Sequence, residues 1–402
     1  MRRRDLLTGL ATAAASSVPL GAAYAQKDVQ SCSTATGTLG VIIERATGSL
    51  LVIDWGRKVV AGRVEGLGDL SHASVVFSRD ERFAYVFVRD GGLSKIDVLS
   101  ARIDKRIIQA GNAIGGAISD DGKLVAVSNY EPGGVRVFDA ETLEPLCEIA
   151  ADVGNGARSK TVGLVDAPGR RFVFTLYDAG QIWVADFAGW SSGQPRVTRY
   201  ANVGKLPYDA SITDDGRYYI AGLFGEDGLV ELDLWDEQPA PRRILDGYGR
   251  GEAPLPVFKM PHLEGWGEVA GRLLLPAIGR HELLAIDAAT FSECGRVGTY
   301  GQPIFAIVQP GSPFVWVNFA HPLNDTIQVV DARKMQVVHT FKPGPAVLHM
   351  EFTPRGDEVW ISIRDADRID IHDARTRERV ASIPARKPSG IFFTARAHRI
   401  GQ

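Results

Sequence analysis

The sequence predicts an all-β fold, an eight-bladed β-propeller built from four-stranded antiparallel blades. Three observations predict it. A short strand that ends in aspartate recurs eight times, each copy sits in the same order of apolar strands and Asp/Gly turns, and no segment shows a long helical period.

The recurring strand gives the size of the repeat. Successive terminal aspartates lie 42 to 54 residues apart, and a four-stranded propeller blade takes roughly 40 to 50 residues. The eight strands end at Asp54, Asp97, Asp139, Asp186, Asp233, Asp287, Asp331 and Asp373.

The third unit shows the internal order most clearly. Short apolar strands are predicted at residues 116–119, 124–128, 135–139 and 145–149, with the turn Asp120-Asp121-Gly122 after the first of them. Strands of this length separated by Asp/Gly turns are typical of antiparallel hairpins.

The first unit lacks its leading strand, and residues 389–394 near the C-terminus can supply it. Closing the ring in this way removes the exposed edge that an open array of sheets would leave. A seven-bladed ring is the competing count, and the 54-residue interval from Asp233 to Asp287 is where the two counts differ. We interpret residues 247–256 in that interval as one long surface loop.

Composition argues against a disordered protein and against a nucleic-acid-binding protein. The 402 residues are 45% hydrophobic and carry a net charge of -3, which is globular composition with enough length for a large core. Lys and Arg are scattered singly, so no basic stripe favours nucleic acid as a partner.

The N-terminus predicts export. Arg3-Arg4 precede Asp5 and two leucines, an Ala-rich apolar stretch runs to Leu20, and a small-x-small triplet stands at residues 23–25. We therefore expect a twin-arginine signal at residues 1–25, a linker at 26–37, a propeller domain at 38–402, and a soluble periplasmic protein after cleavage. Lipoprotein anchoring through Cys32 is the alternative.

The three cysteines, Cys32, Cys147 and Cys294, form no Cys-x-x-Cys or Cys-x-x-Cys-His motif. Neither a disulfide framework nor a covalently attached c-type haem is expected. Nucleophile-elbow serine, Walker, dinucleotide-binding and His-Glu-x-x-His motifs are absent too, which argues against ordinary hydrolase and nicotinamide chemistry.

Function in a propeller is expected at one mouth of the axial channel, where the innermost strands begin and the loops join neighbouring strands. The candidate residues there are His72, Arg158, Lys160, Tyr208, Asp209 and His262, with Arg45 and Tyr130 in the loops. His349 also lies near the start of an innermost strand, but we expect it to precede a core strand and to be structural.

This set of side chains suits a porphyrin-like ligand that carries carboxylates. Imidazole can ligate iron, guanidinium can bind propionates through two hydrogen bonds, and phenol can donate another. A propeller that binds peptides or proteins at a merely polar mouth remains the alternative from composition alone.

Several longer motifs resemble the haem d1-binding propellers, the family of the d1 domain of cytochrome cd1 nitrite reductase, and the resemblance spans roughly residues 38–390. The mature chain is more similar to a paralogue of that domain that acts in haem d1 biosynthesis. The motifs are Val41-Ile42-Ile43-Glu44-Arg45-Ala46-Thr47-Gly48-Ser49, Ser71-His72-Ala73-Ser74, Tyr130-Glu131-Pro132-Gly133-Gly134, Met260-Pro261-His262-Leu263-Glu264-Gly265-Trp266 and Arg355-Gly356-Asp357-Glu358-Val359-Trp360.

The resemblance implies roles for single residues. His72 stands at the proximal iron ligand, Arg45 at an arginine that binds macrocycle carboxylates, Tyr130 at a pocket tyrosine, and His262 at one of two distal histidines. Tyr208 replaces the other distal histidine, which implies chemistry other than nitrite reduction.

The implied activity is oxidation of a propionate of non-covalently bound dihydro-haem d1 to the acrylate of haem d1. His72, His262, Asp209 and Tyr208 are the catalytic candidates, and Lys160 is a further candidate base. The implied partners are a c-type cytochrome as electron acceptor, cytochrome cd1 nitrite reductase and other haem d1 biosynthesis proteins. The alternative is a non-catalytic carrier that passes haem d1 to the reductase.

Overall fold

The eight-bladed propeller is confirmed, and the seven-bladed count is wrong. A computed structural model describes residues 35–154, 156–248 and 265–401, and these form eight four-stranded antiparallel sheets. The signal at 1–25, most of the linker with Cys32, His262 and residues 249–256 of the expected long loop lie outside the described residues.

Each blade contributes four strands that follow one another in the chain, except that the first blade receives its innermost strand from the C-terminus. The strands of blades 1 to 4 are β1 (Leu39–Glu44), β2 (Ser49–Asp54), β3 (Val59–Val64), β4 (Ser74–Phe77), β5 (Phe83–Phe87), β6 (Gly92–Asp97), β7 (Arg102–Ile108), β8 (Asn112–Ile118), β9 (Leu124–Glu131), β10 (Gly134–Asp139), β11 (Pro145–Ile149), β12 (Thr161–Ala167), β13 (Arg171–Leu176), β14 (Gln181–Asp186) and β15 (Arg196–Tyr200).

Blades 5 to 8 repeat the pattern, and β32 completes blade 1. Their strands are β16 (Pro207–Ile212), β17 (Tyr218–Leu223), β18 (Leu229–Asp233), β19 (Arg242–Ile244), β20 (Gly267–Val269), β21 (Arg272–Ala277), β22 (Glu282–Asp287), β23 (Glu293–Gly298), β24 (Pro303–Val308), β25 (Phe314–Phe319), β26 (Ile327–Asp331), β27 (Gln336–Phe341), β28 (Val347–Phe352), β29 (Glu358–Ile363), β30 (Arg368–Asp373), β31 (Arg379–Pro384) and β32 (Pro388–Phe393).

The helical segments in the described ranges are short 3₁₀ turns, at Thr36–Thr38, Ile278–Arg280, Arg364–Ala366 and Thr394–His398. No helix among the described residues has the length and apolar character needed to cross a membrane.

The ring closes as predicted, by pairing of β32 with β1. The two strands run antiparallel, with Gly40 opposite Phe393 and Ile42 opposite Ile391. The closing strand begins one residue earlier than the predicted segment and ends one residue earlier. In the first blade β1 therefore pairs with β2 on one side and with β32 on the other, so the N-terminal strand has no open edge.

The recurring aspartate has a local structural cause. Asp139 ends β10, and its Oδ1 accepts the backbone N–H groups of Glu141 at 3.0 Å and Thr142 at 2.8 Å. The carboxylate thereby satisfies two amides in the turn to the outer strand, which is the mechanism by which Asp stabilises turns. Equivalent bonds occur after Asp97, Asp287, Asp331 and Asp373.

The core lies between adjacent blades. Side chains of β2, β5 and β32 in the first two blades form one apolar cluster, and comparable clusters join the following pairs of blades. Trp183, Trp316 and Trp360 are almost completely buried in these layers. The blades therefore form a rigid frame around the axis, and the two faces of the ring carry the turns and loops.

The chain direction defines the two faces. Each innermost strand begins on one face, and the loop from the second to the third strand lies on that same face, which we call the loop face. The hairpin between the innermost and second strands lies on the opposite face. All of the residues predicted for the site belong to the loop face, except His262, which lies outside the described residues.

Candidate functional site

A cavity of about 450 Å³ lies where the innermost strands converge. Its walls come from the first residues of β4, β8, β12, β16, β28 and β32, together with Phe305 of β24. This volume is within the range of small-molecule and cofactor sites. Three predicted residues, His72, Tyr208 and Asp209, line it together.

His72 lies in the loop before β4 and is exposed at the cavity. Asp69, three residues earlier, accepts a hydrogen bond from the Ser71 backbone at 2.9 Å. That bond and the Ser71 side chain lower the pKa of Asp69, and nearby His72 and Arg45 lower it further. An ionised carboxylate therefore lies near the imidazole.

Tyr130 and Tyr208 form a hydroxyl pair. Their oxygens are 2.6 Å apart, and Tyr208 begins the cavity wall at β16 beside Asp209. Burial raises the pKa of both phenols, so both stay protonated at neutral pH and can pass a proton without becoming the base. The ring of Tyr177 contacts Tyr208 edge-on, with centroids 5.8 Å apart.

Arg89 is a cavity residue that was not among the site residues predicted from the sequence. It lies in the loop between β5 and β6, with its guanidinium 5.2 Å from the centre of the Tyr130 ring and a 3.3 Å hydrogen bond to Asn112. Among the described residues it forms no ion pair with a carboxylate. A half-buried arginine in that state suits a ligand carboxylate. The Arg89-Asp90-Gly91 turn was the only signal, and turns of that kind recur in several blades.

His349 was expected to precede a core strand, and the structure corrects that position. It lies within β28 rather than before it, and its ring lines the cavity. Nδ1 accepts the Ile391 N–H at 3.3 Å, so the neutral ring carries its proton on Nε2. Phe305 and Phe392 pack on the ring with centroids 5.6 Å away. This tautomer makes His349 a hydrogen-bond donor rather than an iron ligand through Nε2.

Four other predicted residues lie on the loop face but are not among the cavity-lining side chains: Tyr130, whose hydroxyl contacts Tyr208, and Arg45, Arg158 and Lys160. Arg158 pairs with Glu148, and Lys160 lies 3.5 Å from Asp178 and over the ring of Tyr177. Arg45 is half-buried, and burial together with neighbouring Arg364 lowers its pKa. Their predicted contacts with a ligand remain predictions.

Metal binding by protein side chains alone is not supported within the described ranges. They contain no group of three or more His, Cys, Asp or Glu side chains placed to hold an ion. An iron that arrives inside a macrocycle needs only one axial imidazole from the protein, and the exposed His72 at the cavity can provide it.

Comparisons with known proteins show the family of the chain. The Cytochrome D1 heme domain family matches residues 34–397. The chain is 56% identical to Protein NirF of Pseudomonas aeruginosa over 368 residues, which covers 91% of this chain and 93% of the relative. It is 53% identical to Protein NirF of Stutzerimonas stutzeri, with 91% and 94% covered.

Similarity to proteins of other names is lower. The dihydro-heme d1 dehydrogenase of Pseudomonas aeruginosa is 28% identical over 88% of this chain and 70% of that protein. The solved structure of dihydro-heme d1 dehydrogenase NirN in complex with DHE superposes with a TM-score of 0.79 at 26% identity, covering 90% of this chain and 76% of that one. Apo AztD from Citrobacter koseri, at 12% identity and a TM-score of 0.61 over 88% of this chain and 96% of that one, shares the fold alone.

Proposed function

The chain belongs to the cytochrome D1 heme domain family and, within it, to the NirF proteins, and from that premise we propose that it acts in haem d1 biosynthesis by binding dihydro-haem d1 and oxidising its propionate side chain. The product is the acrylate of haem d1. Binding is non-covalent, because the sequence has no Cys-x-x-Cys-His motif.

One observation carries the proposal. His72 and Arg89 line the same axial cavity. The described residues hold no group of three or more metal-binding side chains, and Arg89 forms no ion pair with a carboxylate among them. An axial iron ligand and an unpaired guanidinium are the two groups that a carboxylate-bearing iron tetrapyrrole requires. The aromatic rings of Phe224, Phe305 and Phe392 supply flat apolar surface for the macrocycle.

The reaction removes two hydrogens across the Cα–Cβ bond of the propionate. Both hydrogens leave as protons and the electron pair leaves in two one-electron steps to a c-type cytochrome, by way of the tetrapyrrole iron. Asp209 is the candidate base, because it is a carboxylate in the cavity wall. Tyr208 and Tyr130 lie beside it as a protonated relay that carries the proton away.

The proposed cellular setting follows from the N-terminal motif and the reaction. Arg3-Arg4 support export by the twin-arginine route, and we place the mature protein in the periplasm. Haem d1 is the cofactor of cytochrome cd1 nitrite reductase, so that reductase and other haem d1 biosynthesis proteins are the proposed partners.

Replacing Arg3 and Arg4 with lysine should leave the precursor in the cytoplasm. Normal periplasmic accumulation of that variant would indicate the general secretory route instead.

A carrier that holds haem d1 without changing it is the second candidate, because the same cavity would serve it. The relatives named NirF carry no activity in their names, whereas the relative named as a dehydrogenase is only 28% identical. The two functions differ in one observable, which is whether the bound macrocycle changes.

A single-turnover experiment separates them. The protein is loaded with dihydro-haem d1, an oxidised c-type cytochrome is added, and the tetrapyrrole is extracted for absorbance and mass. The dehydrogenase predicts a product lighter by two hydrogens and two reduced cytochromes for each product. The carrier predicts recovery of unchanged dihydro-haem d1. Asp209→Asn is the matched variant, expected to bind the substrate and to convert it at least 100-fold more slowly.

A further inference from the structure

Residues 394–401 cross the ring on the face opposite the loops. Beyond β32 in blade 1, Arg79 of blade 2 donates to the carbonyl oxygens of Ala397 at 2.7 Å and Arg399 at 3.1 Å. The Gly401 N–H then bonds Asp166 of blade 4 at 2.9 Å, and Ile400 packs on the apolar cluster of blades 4 and 5. Blades 1 and 5 are opposite in a ring of eight, so Thr394–Gly401 spans it.

This segment is fixed at several points. Thr394 is fully buried, and its hydroxyl contacts the backbone oxygens of Thr36 at 2.8 Å and Leu39 at 3.0 Å. At the far end, Asp166 is fully buried and also bonds Arg79 at 3.0 Å. Anchors of this kind distinguish the segment from a loose terminus.

Arg396 projects from this segment into the cavity wall. Its Nε and Nη2 bind the two carboxylate oxygens of Glu351 in β28 at 2.8 and 2.6 Å, and its guanidinium lies 5.1 Å from the centre of the Phe392 ring. Burial alone would raise the pKa of Glu351, but the charge of Arg396 holds it below its usual value. The pair is therefore ionised at neutral pH, and it holds the Arg396 guanidinium at the cavity wall.

We propose that Thr394–Gly401 is a strap that closes the axial channel opposite the loop face and fixes Arg396 in the cavity as a second residue that binds a ligand carboxylate. The inference rests on the proposed function for the identity of the ligand. Arg89 reaches the cavity from the loop face, and Arg396 reaches it from the opposite face. Carboxylates at two edges of a macrocycle would thus be bound by cations from two sides, which fixes the orientation of the ring.

The ligand contact is tested with haemin, an iron tetrapyrrole with two propionates, and with its dimethyl ester. Arg396→Gln combined with Glu351→Gln removes both charges and keeps polar groups that can hydrogen-bond. The double variant should bind haemin about tenfold more weakly than the wild type and bind the ester within about twofold of it. The single variant Arg396→Lys, which keeps a positive charge, should bind haemin more tightly than the double variant and more weakly than the wild type. His398→Ala is the control in the same segment, because His398 is exposed and contacts Glu81.

Equal losses for haemin and its ester, or no loss for either, would overturn the role of Arg396. A wild-type protein that binds neither compound would count against the proposed function itself.

Closure of the channel is tested without any ligand. Arg79→Gln removes hydrogen bonds that hold the strap. Backbone amides of β16, on whose cluster Ile400 packs, should therefore exchange with deuterium at least tenfold faster, while those of β24 and β25 keep their wild-type rates. Unchanged exchange in β16 would show that the segment does not close the channel.

Discussion

At the scale of single residues, position along the innermost strands decided which side chains could be predicted. His72, Tyr208 and Asp209 line the cavity because they stand where those strands begin, and the Asp-ended repeat already fixed those starts. Arg89 and Arg396 could not be predicted in the same way, because each is a long side chain that reaches the cavity from a loop or from the chain end. Their positions depend on packing that no repeat encodes.

Arg89→Gln should weaken binding of haem d1 about ten- to hundredfold, because the variant loses a charged contact with a carboxylate in a partly desolvated site. The change is measured by absorbance titration. Arg82→Gln is a suitable control, since Arg82 lies on the opposite face and pairs with Asp97. Equal affinities for wild type and Arg89→Gln would remove Arg89 from the binding site.

Tyr208→Phe tests the hydroxyl pair. The variant keeps the ring that packs against Tyr177 and Phe224 but loses the 2.6 Å contact with Tyr130. Binding should change by less than about threefold, while the rate of propionate oxidation should fall about ten- to hundredfold if the pair relays the proton. Single-turnover kinetics distinguish the two effects, and an unchanged rate would leave the pair with a structural role only.

At the scale of elements, the sequence predicted strands well and their ends less well. The predicted strand at 124–128 extends to Glu131, and the one at 116–119 begins at Asn112, because pairing between them continues past the apolar positions through irregular register near Ala113. Apolar alternation shows where a strand is buried, and hydrogen bonding then extends it toward the loop face. That extension is the reason Tyr130 lies in a strand at the site.

The aspartates that end the repeated strands should contribute to the free energy of unfolding. Asp139→Ala should lower the free energy of unfolding by about 1 kcal/mol, because two turn amides lose their acceptor. Chemical denaturation measures the difference, and Glu141→Ala is the control in the same turn. A loss no larger than that of the control would show that the repeat aspartate is not a turn-stabilising residue.

At the scale of the whole molecule, the number of blades and the closing strand were predictable because the repeat is long and regular. The strap was not, since residues 394–401 contain no apolar period and are held by contacts with residues far away in the sequence. Asp166, Arg79 and Gly401 come from distant parts of the chain and meet on that face.

Asp166 links this closure to pH. Burial raises its pKa to about 6, although Arg79 and the Gly401 N–H lower it. Between about pH 4 and pH 6 the native protein retains a proton there that the unfolded chain releases, so this residue's contribution to stability falls as pH rises. As pH rises from about 4 to about 6, the free energy of unfolding of Asp166→Asn should therefore increase relative to that of the wild type. Above about pH 6 the difference between the two proteins should stay constant. A difference independent of pH, measured by denaturation at several pH values, would contradict the shift.

The central claim is that the axial cavity binds a d1-type tetrapyrrole through His72. Absorbance titration of the wild type and His72→Ala with haem d1, alongside circular dichroism of both proteins, tests it most directly. The claim predicts one tetrapyrrole per wild-type chain, a shifted spectrum for the bound chromophore in His72→Ala, and the same fold in both, because an exposed loop residue contributes little to the blade cores. An identical bound spectrum in the two proteins, or no binding by the wild type, would contradict it.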